Sequence, residues 1–244
     1  MAYSTAETLK ALCLKRDLPL IFKGSFDKAN RTSFTGARGA GMEAGLKILS
    51  EIRTQLQLPV LTDIHTAEQA KLVSESVDII QIPAFLCRQT DIITAAAETG
   101  RVLNIKKGQF LSPQEMLPVA EKAKSAGAKQ VLLTERGASF GYNNLVSDMR
   151  SLVIMRDSGC PIIYDATHSV QLPGGRGDSS GGERTMIPPL LRAAVAVGIN
   201  GLFIETHPTP EKAISDRETQ WELSQMGSLL DSALALDKTR REFV

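Results

Sequence analysis

Pro161-Ile162-Ile163-Tyr164-Asp165-Ala166-Thr167-His168 is a short apolar run that finishes in ionisable side chains, and the chain repeats this design. Pro59-Val60-Leu61-Thr62-Asp63-Ile64 leads to His65, and Gly201-Leu202-Phe203-Ile204-Glu205-Thr206 leads to His207, so all 3 histidines stand just past such a run. Other runs end in charge as well: Pro19-Leu20-Ile21-Phe22 in Lys23, Val102-Leu103-Asn104-Ile105 in Lys106-Lys107, and Gln130-Val131-Leu132-Leu133-Thr134 in Glu135-Arg136. Strands that are apolar throughout and finish in ionisable groups mark a buried parallel sheet with a site at its carboxyl edge.

Working outward, seven strands are expected at 19–24, 59–64, 78–83, 102–107, 130–135, 161–166 and 201–206. Helical stretches alternate with them near 39–57, 66–76, 88–99, 113–126, 143–158 and 184–198, with others at 4–16 and 221–236. Repeated right-handed βα units build either an open doubly wound sheet or a closed barrel. The 244 residues fit one α/β barrel or two small domains, and with no linker along the chain they read as a single barrel domain over 1–244. A helix precedes the first visible strand, the order expected of a (β/α)8 TIM barrel whose first strand is missing. Pro173 to Gly182 holds five glycines in ten residues and reads as a mobile loop, either a lid able to close over a barrel mouth or a disordered linker; the phosphate-binding P-loop spacing is absent.

Lys plus Arg number 28 against 27 acidic residues, which leaves no basic field for nucleic acid or an anionic membrane. No apolar run approaches the roughly 18–20 residues of a membrane span. Cys13, Cys87 and Cys160 are odd in number and far apart, as expected for reduced thiols in a cytoplasm.

The segment Lys23-Gly-Ser-Phe-Asp-Lys28-Ala-Asn30-Arg31-Thr32 gathers cations and polar groups behind one strand. Lys106, Lys107 and Arg136 repeat the theme at other strand ends. If those ends converge they form an anion pocket, with Arg gripping in bidentate fashion and Lys as a point charge. Asp63 and His65 lie two residues apart at a strand end, on the same side, which favours a joint chemical role. His168 and Glu205 come from different strands, either as metal ligands or as a structural hydrogen bond. His207, before Pro208, reads as a turn residue, and Cys87 as a core thiol. Asp148, Arg150 and Arg156 read as surface helix charges.

These segments resemble the signatures of the 3-deoxy-D-manno-octulosonate 8-phosphate synthases. The resemblance is carried by Lys23 to Thr32, Thr62-Asp-Ile-His65, Gln81-Ile-Pro-Ala-Phe-Leu-Cys-Arg-Gln-Thr-Asp91 and Asn104-Ile-Lys-Lys-Gly-Gln-Phe110. Glu135-Arg-Gly-Ala-Ser-Phe-Gly-Tyr142, Asp165-Ala-Thr-His-Ser-Val-Gln-Leu-Pro173 and Phe203-Ile-Glu-Thr-His-Pro208 carry it further. Lys-Ala-Asn-Arg is specific, since related synthases of the shikimate pathway carry Lys-Pro-Arg-Thr there. The resemblance implies a tetrameric (β/α)8 barrel that condenses phosphoenolpyruvate with arabinose 5-phosphate and water, for lipopolysaccharide or related sugar synthesis. It implies that Lys23, Lys28, Lys106, Arg136 and Gln81 to Phe85, with Ala84, bind phosphoenolpyruvate. Arabinose 5-phosphate would meet Lys28, Asn30 and Asp216, with its phosphate on Arg31, Thr32 and Arg88 from a neighbouring subunit. Lys28, Asp63, His65, His168, Glu205 and Asp216 are the implied catalytic groups. His168, Glu205 and Asp216 would hold one divalent metal (Zn, Fe or Mn) in a metal-dependent enzyme; no organic cofactor is expected.

The family's opening strand ends in Gly-Pro-Cys or Gly-Pro-Asn, where the cysteine is the metal ligand, and nothing like it precedes Tyr3. Ser215-Asp216-Arg217-Glu218-Thr219-Gln220 replaces the family's Ser-Asp-Gly-Pro-Thr-Gln, which leaves the turn after Asp216 open, and Arg184-Thr185-Met186 replaces Arg-Glu-Phe. Two other readings stay compatible with the residues: a truncated, inactive phosphate-binding remnant, and a Schiff-base aldolase using Lys23 or Lys106.

Overall fold

The strand-end pattern is realised as parallel strands alternating with helices in a computed structural model that describes residues 1–30, 34–174 and 180–243. The chain divides into two compact units. The first holds the described residues of Met1–Arg31, Gly36–Lys106 and Pro118–Leu132; the second holds those of Thr32–Thr35, Lys107–Leu117 and Leu133–Val244.

In the first unit, β1 (Phe22–Lys23), β2 (Val60–Asp63), β3 (Ile79–Ile82) and β4 (Val102–Lys106) pair in that order, all parallel. Every residue of β2 and β3 is buried, which is why their sequences read as continuous apolar runs and not as alternation. The helix α1 (Ala2–Leu14) packs on α2 (Met42–Gln55), and α2, α3 (Gln69–Ser76) and α4 (Thr90–Glu98) pack on these strands. Ile52, Val73, Ile80, Ile93 and Leu103 are completely buried and form the centre of this unit's core. Lys10 ties α1 to the end of α2, its Nζ donating to the Leu56 carbonyl at 2.6 Å.

Two elements run through both units: α5 (Met116–Ser125) and β5 (Val131–Glu135). Ser112 and Glu115 close a capping box around a 3-10 turn just before α5, as Ser112-Pro113 in the sequence suggests. In the second unit the end of β5 pairs in parallel with β6 (Ile162–Asp165), and β6 with β7 (Gly201–Phe203). The unit also contains α6 (Arg150–Ile154), α7 (Ile187–Val197) and α8 (Met226–Arg241), with α7 packed on α8. Leu133, Leu152, Met155, Ile162, Tyr164, Ile187 and Leu191 fill its core.

Several boundaries differ from those the sequence suggests. The helix expected over 143–158 is confined to α6 and a following 3-10 turn, Met155–Ser158, because Leu145–Val146 instead pairs antiparallel with Ala138–Ser139. The helix expected from 221 begins at Met226, because Trp221–Glu222 pairs with Thr206–His207. That same pairing ends the last long strand at Phe203. Arg156 is more than a surface charge: its Nη2 donates to the Val197 and Gly198 carbonyls at 2.8 and 2.5 Å, capping the end of α7. Among the described residues no helix is long and apolar enough to cross a membrane.

Candidate functional site

In the first unit the chemistry gathers where β1 and β2 end. Lys23 Nζ donates to Ser25 Oγ at 2.6 Å, and Ser25 Oγ donates to Asp63 Oδ1 at 2.5 Å. Lys23 also faces Asp63 directly at 3.5 Å. On the other oxygen, Asp63 Oδ2 lies 3.0 Å from His65 Nε2, so the two-residue spacing does bring the pair together. Phe26 sets its ring edge against His65 with centroids 5.7 Å apart, and the His65 amide donates to Gln69 Oε1 at 2.7 Å. Phe26 is accommodated because position 45 is glycine; a Cβ there would lie 2.5 Å from the Phe26 Cβ. Burial opposes ionisation of Asp63, but Lys23, the His65 hydrogen bond, Lys28 and the Ser25 hydrogen bond outweigh it and hold the carboxyl well below the usual carboxylate range. His65 Nδ1, by contrast, is buried with no hydrogen-bond partner among the described residues.

Register lays a second row beside this network. Asp63 stands opposite Gln81, and Gln81 opposite Asn104, whose amide donates to Gln81 Oε1 at 3.1 Å. Lys106 follows two residues beyond Asn104, hence on the same face of β4, and is buried. A 3-10 turn, Ala84–Leu86, follows β3; Phe85 is exposed and Ala84 half-buried. Arg88 is exposed, and its carbonyl accepts from Lys122 Nζ at 3.0 Å. Lys28 is half-buried and Asn30 exposed, whereas Arg31 and Thr32 lie outside the described residues.

In the second unit, fully buried Asp165 organises the end of β6. Its Oδ1 accepts from the amide and hydroxyl of Thr167 at 3.2 and 3.1 Å and from the His168 amide at 2.9 Å. Its Oδ2 lies 2.7 Å from His168 Nδ1, which leaves Nε2 directed towards Glu205 Oε2 at 3.8 Å. Thr167 Oγ1 accepts the Glu205 amide at 3.0 Å, fixing the backbone that carries this second carboxylate. His168, Glu205 and Asp216 each offer a ligand atom, all within 4.8 Å of one another. One imidazole nitrogen and two carboxylates, with the histidine oriented by a buried carboxylate, fit a divalent transition metal.

The turn that the Arg217-Glu218 replacement left open is well formed. Asp216 adopts φ +54°, and its carbonyl accepts the amides of Thr219 and Gln220, each at 2.9 Å. Arg184 Nη2 donates to the Arg217 carbonyl, which anchors the same turn. Position 182 must be glycine here, because a Cβ would fall 2.1 Å from Thr219 Cγ2.

Arg136 is buried, and its Nη2 donates to Gln171 Oε1 at 2.5 Å. Its Nη1 has no hydrogen-bond partner among the described residues. Burial pulls the guanidinium below its ordinary pKa, while Asp165, Asp216, Glu135 and Glu205 act against that shift. Lys107 is a separate case. Fully buried, its Nζ lies 3.5 Å from Glu135 Oε1 and donates to the carbonyls of Gly108, Leu111 and Gly137. These contacts tie Lys107 to the protein's own framework.

His207 holds a turn, its Nδ1 accepting the Thr209 amide at 2.9 Å. Cys87 is a fully buried thiol, and Cys13 and Cys160 are buried too. Residues 175–179 of the glycine-rich stretch lie outside the described residues; its ends, Gln171–Leu172 and Gly181–Gly182, pair antiparallel. Sequence reasoning did not single out Ser25, Asp165 or Gln171. An acidic residue three positions before a strand-end histidine was the available signal for Asp165.

Comparison with known proteins gives the family. The sequence model of the DAHP synthetase I family matches residues 1–240. The chain belongs to that family. It is 58% identical over 238 residues to a 2-dehydro-3-deoxyphosphooctonate aldolase of Stenotrophomonas maltophilia, covering 98% of this chain and 86% of that protein. A protein of the same name from Acidithiobacillus ferrooxidans is 57% identical over 230 residues, with 94% and 82% covered. Another from Legionella pneumophila is 56% identical over 243 residues, with 100% and 89% covered.

Proposed function

We propose that this chain is a 3-deoxy-D-manno-octulosonate 8-phosphate synthase, condensing phosphoenolpyruvate with arabinose 5-phosphate and water and releasing phosphate. The name carried by its relatives at 56–58% identity describes this product chemistry. The observation that carries the reading is the buried Arg136 guanidinium, which keeps one nitrogen without a hydrogen-bond partner among the described residues. A buried cationic donor left unmatched is costly unless an anion completes it.

In the reaction, C3 of phosphoenolpyruvate attacks the aldehyde carbon while water adds to C2, where positive charge develops; the added water loses its protons and the C2–O bond to phosphate breaks, leaving the C2 ketone and free phosphate. Ionised carboxylates stabilise that charge, and the new alkoxide at the former aldehyde needs a proton. His65 is the proposed acid–base group at that oxygen. Its Nε2 is held on ionised Asp63, so the exchanging atom is Nδ1, the buried nitrogen with no hydrogen-bond partner among the described residues. Lys23, Lys28 and Lys106, with Gln81, Ala84 and Phe85, are assigned to the substrates' anionic groups, as is Arg136; Asn30, Arg31 and Thr32 are assigned to the aldose phosphate. A divalent cation on His168, Glu205 and Asp216 would supply a Lewis acid. The parallel strands alternating with helices support closure as a (β/α)8 barrel, and exposed Arg88 supports a homo-oligomer in which it serves a neighbour's phosphate site. The cytoplasm is the inferred setting, where buried free thiols remain reduced.

Calorimetry of Arg136→Ala tests the reading. Phosphoenolpyruvate binding should weaken by about 2–4 kcal/mol. A loss below about half a kcal/mol in a folded variant removes Arg136 from the site. Borohydride with a carbonyl substrate should trap nothing, because the condensation passes through no imine and Lys23 is held by Ser25 and Asp63; a trapped adduct on Lys23 or Lys106 would favour the Schiff-base aldolase instead.

A further inference from the structure

We propose that Gln171 is a positioning residue that locks the anion-binding guanidinium of Arg136 to the carboxylate of Asp216. The inference rests on the site reading above and adds a residue to which that reading gave no role. Gln171 Oε1 accepts from Arg136 Nη2 at 2.5 Å, and Gln171 Nε2 donates to Asp216 Oδ1 at 2.6 Å. These partners fix the amide's orientation: the opposite flip would set its NH2 against a guanidinium and its oxygen against a carboxylate. A primary amide of this length can accept from a cation at one end and donate to an anion at the other. Glutamate would satisfy Arg136 but repel Asp216; methionine would fill the space and satisfy neither.

The backbone beneath this side chain is held on both sides. Gln171 stands opposite Gly182 in a short antiparallel ladder, and the Val170 carbonyl accepts the Glu183 amide at 3.0 Å. The Asp216 end is fixed as well, since its carbonyl receives two amides of its own turn. Each end of the amide therefore orients a group with its own task. Arg136 presents its remaining nitrogen to an anion, and Asp216 presents its remaining lone pairs beside His168 and Glu205. Outer partners of this kind set ligand orientation, and their loss typically lowers metal affinity by about 10–100-fold.

Two variants separate positioning from bulk stability, each titrated with Mn2+ alone and with phosphoenolpyruvate alone. Gln171→Met should weaken Mn2+ binding about tenfold or more and also weaken phosphoenolpyruvate binding. Gln171→Glu should move the two ligands in opposite directions: phosphoenolpyruvate binding falls about tenfold as Arg136 is neutralised, while Mn2+ binding holds or tightens beside the added carboxylate. A merely structural glutamine would weaken both ligands together in both variants, in step with Tm, and that result overturns the proposal. Wild-type affinity for both ligands in Gln171→Met overturns it too. Should Gln171→Met fail to fold, the opposed shifts in Gln171→Glu decide alone. Wild-type protein that binds neither ligand would sink the underlying site reading, a result distinct from unchanged variants.

Discussion

Asp165→Asn changes one atom at the centre of the second unit's network, and the structure dictates what should follow. The carboxylate's Oδ1 accepts three hydrogen bonds, from the Thr167 amide and hydroxyl and the His168 amide. An asparagine carbonyl can keep all three, which fixes the new NH2 at the Oδ2 position, 2.7 Å from His168 Nδ1. That NH2 donates, so Nδ1 must accept and the imidazole proton moves to Nε2. The nitrogen facing Glu205 then carries a proton and can no longer ligate a cation. A hydrogen bond to a charged group is worth about 1.5–3 kcal/mol. At roughly 2–4 °C per kcal/mol for a chain of this size, Tm should fall by about 3–12 °C. Mn2+ affinity, followed by calorimetry, should fall by about 10–100-fold or more. The tautomer is readable from the imidazole nitrogens in a long-range 1H–15N spectrum. Mn2+ affinity within about twofold of wild type, with Nε2 still unprotonated, would refute the reasoning.

Other perturbations probe the remaining networks. Asp63 has its folded pKa held below its unfolded value, so its stabilising contribution is present above about pH 4 and lost as pH falls. Thermal unfolding of wild type should therefore decline more steeply than that of Asp63→Asn between about pH 5 and pH 2, and parallel curves would contradict the ion pair. Lys107→Met leaves buried Glu135 without its cation and should cost about 3–5 kcal/mol by denaturant titration; under about 1 kcal/mol would show that the pair contributes little. Gly182→Ala drives a Cβ into Thr219 and should cost about 1–3 kcal/mol. Adding Thr219→Ser, which removes the clashing methyl, should restore much of that loss, and no recovery would locate the strain elsewhere.

The parallel strands were legible because burial on both faces writes uninterrupted apolar runs that stop at charge. Asp63 with His65, and His168 with Glu205, were legible for the same reason: each stands at the end of such a run. What escaped was anything depending on pairing between distant short segments. Nothing periodic announces that Trp221–Glu222 will pair with Thr206–His207, or Ala138–Ser139 with Leu145–Val146, so the sequence suggests helices over 143–158 and 221–236. Gln171 escaped because a neutral amide in a polar stretch carries no charge signal; its role exists only once Arg136 and Asp216 are placed at its two ends. Lys107 reads in sequence as one more strand-end cation, indistinguishable from its neighbour Lys106, yet it is a buried framework group.

The most direct measurement is phosphate release from phosphoenolpyruvate in the presence of arabinose 5-phosphate or of a four-carbon aldose phosphate, with the sugar product identified by mass. Phosphate release should require an aldose, strongly prefer the five-carbon substrate, and yield the eight-carbon 3-deoxy-octulosonate 8-phosphate. Preference for the four-carbon aldose, or no turnover by folded protein supplied with Mn2+ or Zn2+, would contradict it.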